Sequence, residues 1–442
     1  MPSARRYYTP AELMALPAAP APRWPAVSMA LLCLAAVLLP LGLVTALNVY
    51  LVALAVLVML ARRQGVPAEL GRVLWPFVAL IVVAFLRGLG AETYIFLRDG
   101  WYFSNPLLVM LVGYVLGRQV DDAAKGLRAI VVAGTLVAAL HLLWFVLFPN
   151  LLALRASEVR SVTGSGYFAP VVAALILLGH LKHWRTGLRL PPALAWPCLL
   201  VNLASAALAF SRTLTVVLLV GALAVAGFFA RRELLRSSVL VLVLLLAVLL
   251  ARSAVSPESQ EAKTSLVGKF GRVFEELRVT QDLRPQEIQD NWRGYETARA
   301  VGQWADGGPA RWFLGEGLGA LVDLGLFESL TRDPRDAVRF IPIFHNGYVF
   351  VLVKAGLVGI ALYLLVLTRL YLMGRRHAGL AHAAPARRLG RLLQACAVSL
   401  FVSTGIFFGA FHKFDLLPVM LLSGYLMAVL GAGGAVANGG DA

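Results

Sequence analysis

The chain has 442 residues, is 59% hydrophobic and only 14% charged, and carries repeated apolar runs long enough to cross a bilayer. That composition describes an integral membrane protein and excludes a soluble globular domain; the formal net charge of +16 is not a nucleic-acid footprint here, because in a membrane chain lysine and arginine set topology. Cys33, Cys198 and Cys396 all lie inside apolar runs without metal-like spacing, so neither a disulfide framework nor a zinc site is supported.

In chain order, residues 1–25, which include ALPAAPAPRWP, lack the apolar core and small-residue cleavage site of a secretory signal. They read as a cytoplasmic tail leading into a retained first span. Backbone polar groups cannot stay unpaired in hydrocarbon, so each apolar run of suitable length is expected to be a helix. Twelve spans are predicted, at 26–44, 46–61, 73–89, 101–117, 127–148, 167–182, 192–210, 213–230, 236–251, 346–370, 391–410 and 414–431. The expected fold class is an all-α polytopic membrane protein. Its segments are nine spans over 26–251, a large loop over 252–344, three further spans over 345–431 and a short tail over 432–442.

Alternate connections separate by charge. RRQGVPAELGR, GRQVDDAAKGLR, HLKHWRTGLRL, ARRELLR and GRRHAGLAHAAPARRLGR carry 3, 3, 3, 3 and 5 lysines or arginines, whereas the short loops between them hold 6 in total. The basic set belongs inside, which puts both termini in the cytoplasm and the large loop on the outer side. That loop balances 12 basic residues against 14 acidic ones and is expected to form a helical cap. Ser256 and Pro257 open an amphipathic helix through Leu277. A second helix runs from Asp290, its cap, to Trp304, with Arg293, Ala300 and Trp304 on one face and Gly307, Gly308 and Pro309 as its stop. FLGEGLGAL, residues 313–321, lacks the preceding strand and the Lys-Ser/Thr of a phosphate loop and reads as a turn allowing close backbone approach.

Polar residues at the outer ends of the spans are the candidates for chemistry. His345 directly precedes the tenth span, where the helix dipole favours a neutral imidazole able to accept a proton, and the N–H groups of Asn346, Gly347 and Tyr348 would suit an anion. On this stretch alone, a histidine that merely caps its helix is the preferred reading. Arg160, before SVTGSGYFAP, Arg212 in AFSRTL and Arg293 in NWRGYETA lie on the same side, and guanidinium forks match phosphate oxygens. Arg155 competes with Arg160 for that role. Lys354 is expected to snorkel, and Asp415 to pair with Lys413 or a site arginine. The sequence has no paired carboxylates of the DxD kind and no metal-ligand spacing, so no cofactor is implied.

AFSRTL, NWRGYETA followed by WFLGEGLG, and FHNGYVFVLVKAGLVG together resemble the O-antigen ligase and polymerase superfamily of bacterial envelope enzymes, and the overall length, the twelve expected spans and the one large outer loop before the histidine resemble O-antigen ligases most. The resemblance covers about half of the chain and implies a GT-C-like membrane enzyme. Such an enzyme moves a polysaccharide from undecaprenyl pyrophosphate to a sugar hydroxyl of the lipid A core, at the periplasmic face of the bacterial inner membrane. It implies that His345 is the essential histidine, that Arg212 and Arg293 are essential arginines and that Arg160 is a weaker match, with no metal required. The implied partners are the lipid-linked glycan donor, the lipid A-core acceptor and membrane lipids, with no nucleic acid. An O-antigen polymerase, a protein-glycosylating relative and a lipid-linked glycan transporter are the competing readings.

Overall fold

The structure is a computed structural model that describes residues 24–38, 68–120, 122–153, 159, 162–163, 168–209, 211–229, 288, 292–329, 337–342, 344–379, 384–406, 409–411 and 416–438. Within them the helices are α1 (Trp24–Leu38), α2 (Ala68–Arg87), α3 (Thr93–Gln119), α4 (Ala123–Leu147), α5 (Phe168–Gly179), α6 (Pro192–Leu208), α7 (Arg212–Ala226), α8 (Trp292–Ala305), α9 (Gly308–Leu314), α10 (Gly347–Ala378), α11 (Ala384–Ile406) and α12 (Leu417–Asn438). Strands β1 (Val322–Ser329) and β2 (Ala337–Ile341) form an antiparallel hairpin between α9 and α10.

Helices dominate, as the composition requires. Five of them, α2 from Leu70, α3, α4, α10 and α11, are long and apolar enough to cross a membrane, and α1, α5, α6, α7 and α12 contain shorter apolar stretches. All ten lie on predicted spans. The predicted spans 46–61 and 236–251, and the amphipathic helix expected after Ser256, lie outside the described residues. In the cap, α8 is helical as expected; α9, which begins on residues read as a helix stop, and the hairpin are additions that the reading of this loop did not contain.

The helices show what they pack against. On α2, Phe77, Leu80 and Ala84 are fully buried while Trp75, Val78, Val82, Phe85 and Leu86 are exposed, an apolar stripe turned outward at helical spacing. Val132, Leu136, Leu140 and Leu143 form the same kind of stripe on α4. Such faces suit lipid, because in water they would be a large uncovered apolar patch. By contrast, α5 is buried from Phe168 through Leu177 and is enclosed by α4, α6, α7, α11 and α12. Buried hydroxyls and amides find partners across helices: Asn202 Nδ2 donates to Thr135 Oγ1 at 2.8 Å, and His141 Nδ1 meets Ser205 Oγ at 2.9 Å, both tying α4 to α6.

The tenth span departs from a straight rod. Gly356 has φ 66° and ψ −162°, so α10 breaks there into two arms, 347–355 and 357–378. The arms fold back on each other: the rings of Tyr348 and Tyr363 lie 6.0 Å apart, although fifteen residues of continuous helix would separate them by about 22 Å. Both tyrosines also reach the same turn of α11, Tyr348 donating to the Phe401 carbonyl at 2.9 Å and Tyr363 meeting Thr404 Oγ1 at 2.8 Å. The long arm alone, at about 33 Å, is enough to span a bilayer. The short arm is a half-helix folded back on the long one, and His345 stands at its foot, about 13 Å from the Gly356 tip.

A cysteine pair tests this reversal. In a background lacking the three native cysteines, Tyr348→Cys with Tyr363→Cys is expected to be joined by a short bifunctional thiol reagent, seen as a protease-resistant link across residues 349–362. A straight tenth helix would keep the two thiols about 22 Å apart and leave them unlinked.

Candidate functional site

Three segments meet at the tip of the α10 hairpin. The loop after α9 presses its backbone between the tip and the α2–α3 turn: Glu316 N–H donates to the Val353 carbonyl at 2.7 Å, Gly317 N–H to Lys354 at 3.0 Å and Leu318 N–H to Ala84 at 2.9 Å. Glycine is required at two places. At Gly317, with φ 97°, a Cβ would collide with the Gly88 backbone, and at Gly356 a Cβ would collide with the Phe313 backbone. FLGEGLGAL therefore is a close-approach turn, built to fit against another backbone.

Inside this joint lies a charge pair. Lys354 and Asp99 are both 0% exposed, with Nζ 2.5 Å from Oδ2. Asp99 Oδ2 also accepts the Gly319 N–H at 2.9 Å, and Lys354 donates further to the Ala320 carbonyl. The expected snorkelling of Lys354 is thereby corrected: the break at Gly356 turns this face of the short arm toward α3 and away from any interface. Asp99 escaped notice because the fourth span was placed at 101–117. Helix α3 begins eight residues earlier, where the Glu92 carboxylate accepts the Tyr94 and Ile95 N–H groups at 3.0 and 2.9 Å. A lysine eight residues into an apolar run was the signal that a carboxylate had to be near.

At the other end of the short arm, Asn346 caps the helix, its side chain accepting the Tyr348 N–H at 3.0 Å and the Val349 N–H at 3.3 Å. This corrects the expectation that the Tyr348 amide is open to an anion. It also separates two roles that the sequence left joined, since Asn346 is the cap and His345 is not. Below the arm, Phe77, Phe103, Phe350, Tyr363 and Phe411 pack ring against ring, with centroids 5.0 to 6.2 Å apart. Phe344 is fully buried and joins them through Phe350. His345 is anchored on this aromatic floor by its neighbour, while its own side chain is 38% exposed.

Helix α8 closes the site from the cap. Tyr295 donates to the Leu324 carbonyl at 2.5 Å, Arg299 to the Asp323 carbonyl at 3.1 Å and Gln303 to the Leu321 carbonyl at 2.9 Å, so β1 and the glycine loop hold α8 in place. Asp323 in turn takes a two-pronged contact from Arg339 of β2, at 2.8 and 2.7 Å, which holds its carboxyl well below the usual carboxylate range. Docked this way, α8 brings Glu296, 1% exposed, to 2.9 Å from His345 Nδ1. No sequence motif singles out Glu296 for this contact. Arg293, half-buried, lies three residues earlier on the same side of α8.

The fold thus brings together His345, Asn346 and Tyr348, and sets Glu296 of α8, the helix that also carries Arg293, against His345. Tyr348 is used in packing against Phe401 and Tyr363. Arg212 opens α7 behind its cap Ser211, and α7 packs on α11, which in turn lines α10. Arg155, Arg160 and Asp415 lie outside the described residues. Among the described residues no group of three His, Cys, Asp or Glu is placed to hold a metal ion.

Breaking the buried pair is expected to be costly. Lys354→Met, which leaves Asp99 buried and uncompensated, should destabilise the protein by about 3–5 kcal/mol, read as a lowered unfolding midpoint in detergent. Adding Asp99→Asn should restore much of that loss, because the second change removes the stranded charge. If the single change is neutral, the pair does not hold this joint.

No protein-family model matches the chain, and no curated protein matches it either.

Proposed function

We propose that this chain is an O-antigen ligase, a metal-independent glycosyltransferase that moves a polysaccharide from undecaprenyl pyrophosphate onto the lipid A core during lipopolysaccharide biosynthesis. In this reading the chain has about twelve spans in a GT-C-like arrangement in the bacterial inner membrane, with both termini cytoplasmic and the 252–344 loop periplasmic. The observation that carries it is the meeting of two motifs distant in the chain: α8, which carries Arg293, is docked so that its Glu296, 49 positions before His345, touches that histidine. That contact supports a transfer site drawing on both motifs, a basic nitrogen on the half-helix and a guanidinium on the helix that touches it. Sequence order alone gives no reason for it.

The chemistry follows from those groups. His345 takes the proton of the acceptor hydroxyl as that oxygen attacks the anomeric carbon. The bond from this carbon to the pyrophosphate breaks, and its electron pair leaves with undecaprenyl pyrophosphate. Arg160, Arg212 and Arg293 balance the charge on that leaving group, through the bidentate contacts that guanidinium makes with phosphate oxygens. A single displacement inverts the configuration at the anomeric carbon.

The test is transfer by purified protein supplied with undecaprenyl-pyrophosphate glycan and rough lipopolysaccharide, with a chelator present. Wild type is expected to attach glycan to the core with inverted linkage, and His345→Ala to lose about 100-fold to 10,000-fold in rate while keeping its fold. Extension of the lipid-linked glycan without attachment to core would make the protein a polymerase. Undiminished transfer by the variant would remove His345 from the chemistry.

A further inference from the structure

We infer that Glu296 is a positioning residue for the transfer: its buried carboxylate fixes the proton of His345 on Nδ1 and so makes Nε2 the basic nitrogen. The inference rests on the proposed role of His345 as the base, and it assigns a function to a residue that the sequence motifs leave without one.

Two nitrogens of the same histidine converge on one carboxylate oxygen. His345 Nδ1 lies 2.9 Å from Glu296 Oε1, and the His345 backbone N–H donates to that same atom. An ionised carboxylate only accepts, so the ring nitrogen facing it is the one that carries hydrogen. The paired backbone contact removes the remaining freedom, because it ties the ring's orientation to the main chain at the foot of the short arm. Proton transfer then runs from the acceptor hydroxyl to Nε2, and the imidazolium that results stands 2.9 Å from a negative charge. The carboxylate itself gains no proton in this scheme. Because Glu296 is 1% exposed, little water screens the attraction.

A purely structural role fits the surroundings less well. Helix α8 is already tied down by Tyr295, Arg299 and Gln303, whose partners all lie in β1 and the glycine loop. Its other buried positions are Gly294, Tyr295, Ala298 and Ala300, so Glu296 is the one charged residue among the fully buried positions of the helix. A carboxylate in that position is costly unless it is bonded, and an apolar side chain would pack there without the cost. The location of the charge is therefore informative: it is spent on the histidine.

Two readouts test this, one of which needs no substrate. In wild-type protein with ring-labelled histidine, with the His345 signal assigned by its loss in His345→Ala, nitrogen NMR is expected to show the Nδ1-protonated neutral tautomer. An Nε2-protonated ring in wild type would overturn the proposal whatever the protein transfers. In the transfer assay, Glu296→Gln is expected to lose roughly 100-fold or more in kcat with KM for the lipid-linked donor changed less than about 3-fold. Glu296→Asp should recover part of that loss, and Glu296→Gln should cost nothing further in a His345→Ala background. A Glu296→Gln enzyme within about 3-fold of wild type, or a loss that adds fully to that of His345→Ala, would also overturn it. Wild type that shows the expected tautomer but transfers nothing would overturn the ligase reading and leave the placement of the proton standing.

Discussion

The ion pair between Asp99 and Lys354 is a constraint that three separate segments have to satisfy at once. Neither group has access to water, so each must find its partners within the protein, and the pair needs more than its own contact to be tolerable. The Gly319 N–H and the Ala320 carbonyl supply the remaining bonds. They can do so only because the loop carrying them fits against α2 at Gly88 and against the tip of α10, where side chains would collide. Helix α3, the glycine loop and the α10 hairpin therefore form one joint. None of them has a reason to hold its observed shape without the other two.

The consequences run down the short arm. Because its tip is pinned, the half-helix has a fixed direction, and its foot comes to rest on the aromatic cluster that α2, α3 and the long arm provide. Asn346 completes the arm by capping it. The loop that pins the tip continues directly into β1, and β1 is what α8 is bonded to. The same chain segment thus sets the height of His345 from one side and delivers Glu296 and Arg293 from the other.

Much of this architecture was legible in the sequence, and the misses share a cause. Apolar runs read correctly as helices because lipid permits the backbone little else. NWRGYETA read as a cap helix, and FLGEGLGAL as a close-approach turn, because local signals decide both. The reversal at Gly356 was invisible: KAGLVG is an ordinary small-residue stretch in a long apolar run, and only the Phe313 backbone packed against it makes the glycine a breaking point. Asp99 and Glu296 were missed for the same reason. Each is defined by a partner far away in the chain, Lys354 in one case and His345 in the other, and no local pattern encodes that distance. Lys354 did carry a usable signal, because a charge that deep in an apolar run has to be paired.

The contact with Glu296 gives the proposed chemistry a physical logic that a histidine without a fixed partner would lack. Transfer of a glycan to a sugar hydroxyl competes with transfer to water, and a base standing free in solvent would activate both. At the foot of a half-helix, with its neighbour Phe344 buried and Glu296 of α8 against Nδ1, His345 presents its remaining ring nitrogen in one fixed direction. Attraction between the guanidinium groups and a pyrophosphate is also stronger where water is scarce. The lipid-facing stripes on α2 and α4 suit a donor whose long hydrocarbon tail stays in the bilayer while its phosphates reach inward. On this account the buried ion pair at the tip and the carboxylate at the foot serve one end: both hold a short helix still against the bundle, so that a single imidazole faces the reaction in one orientation.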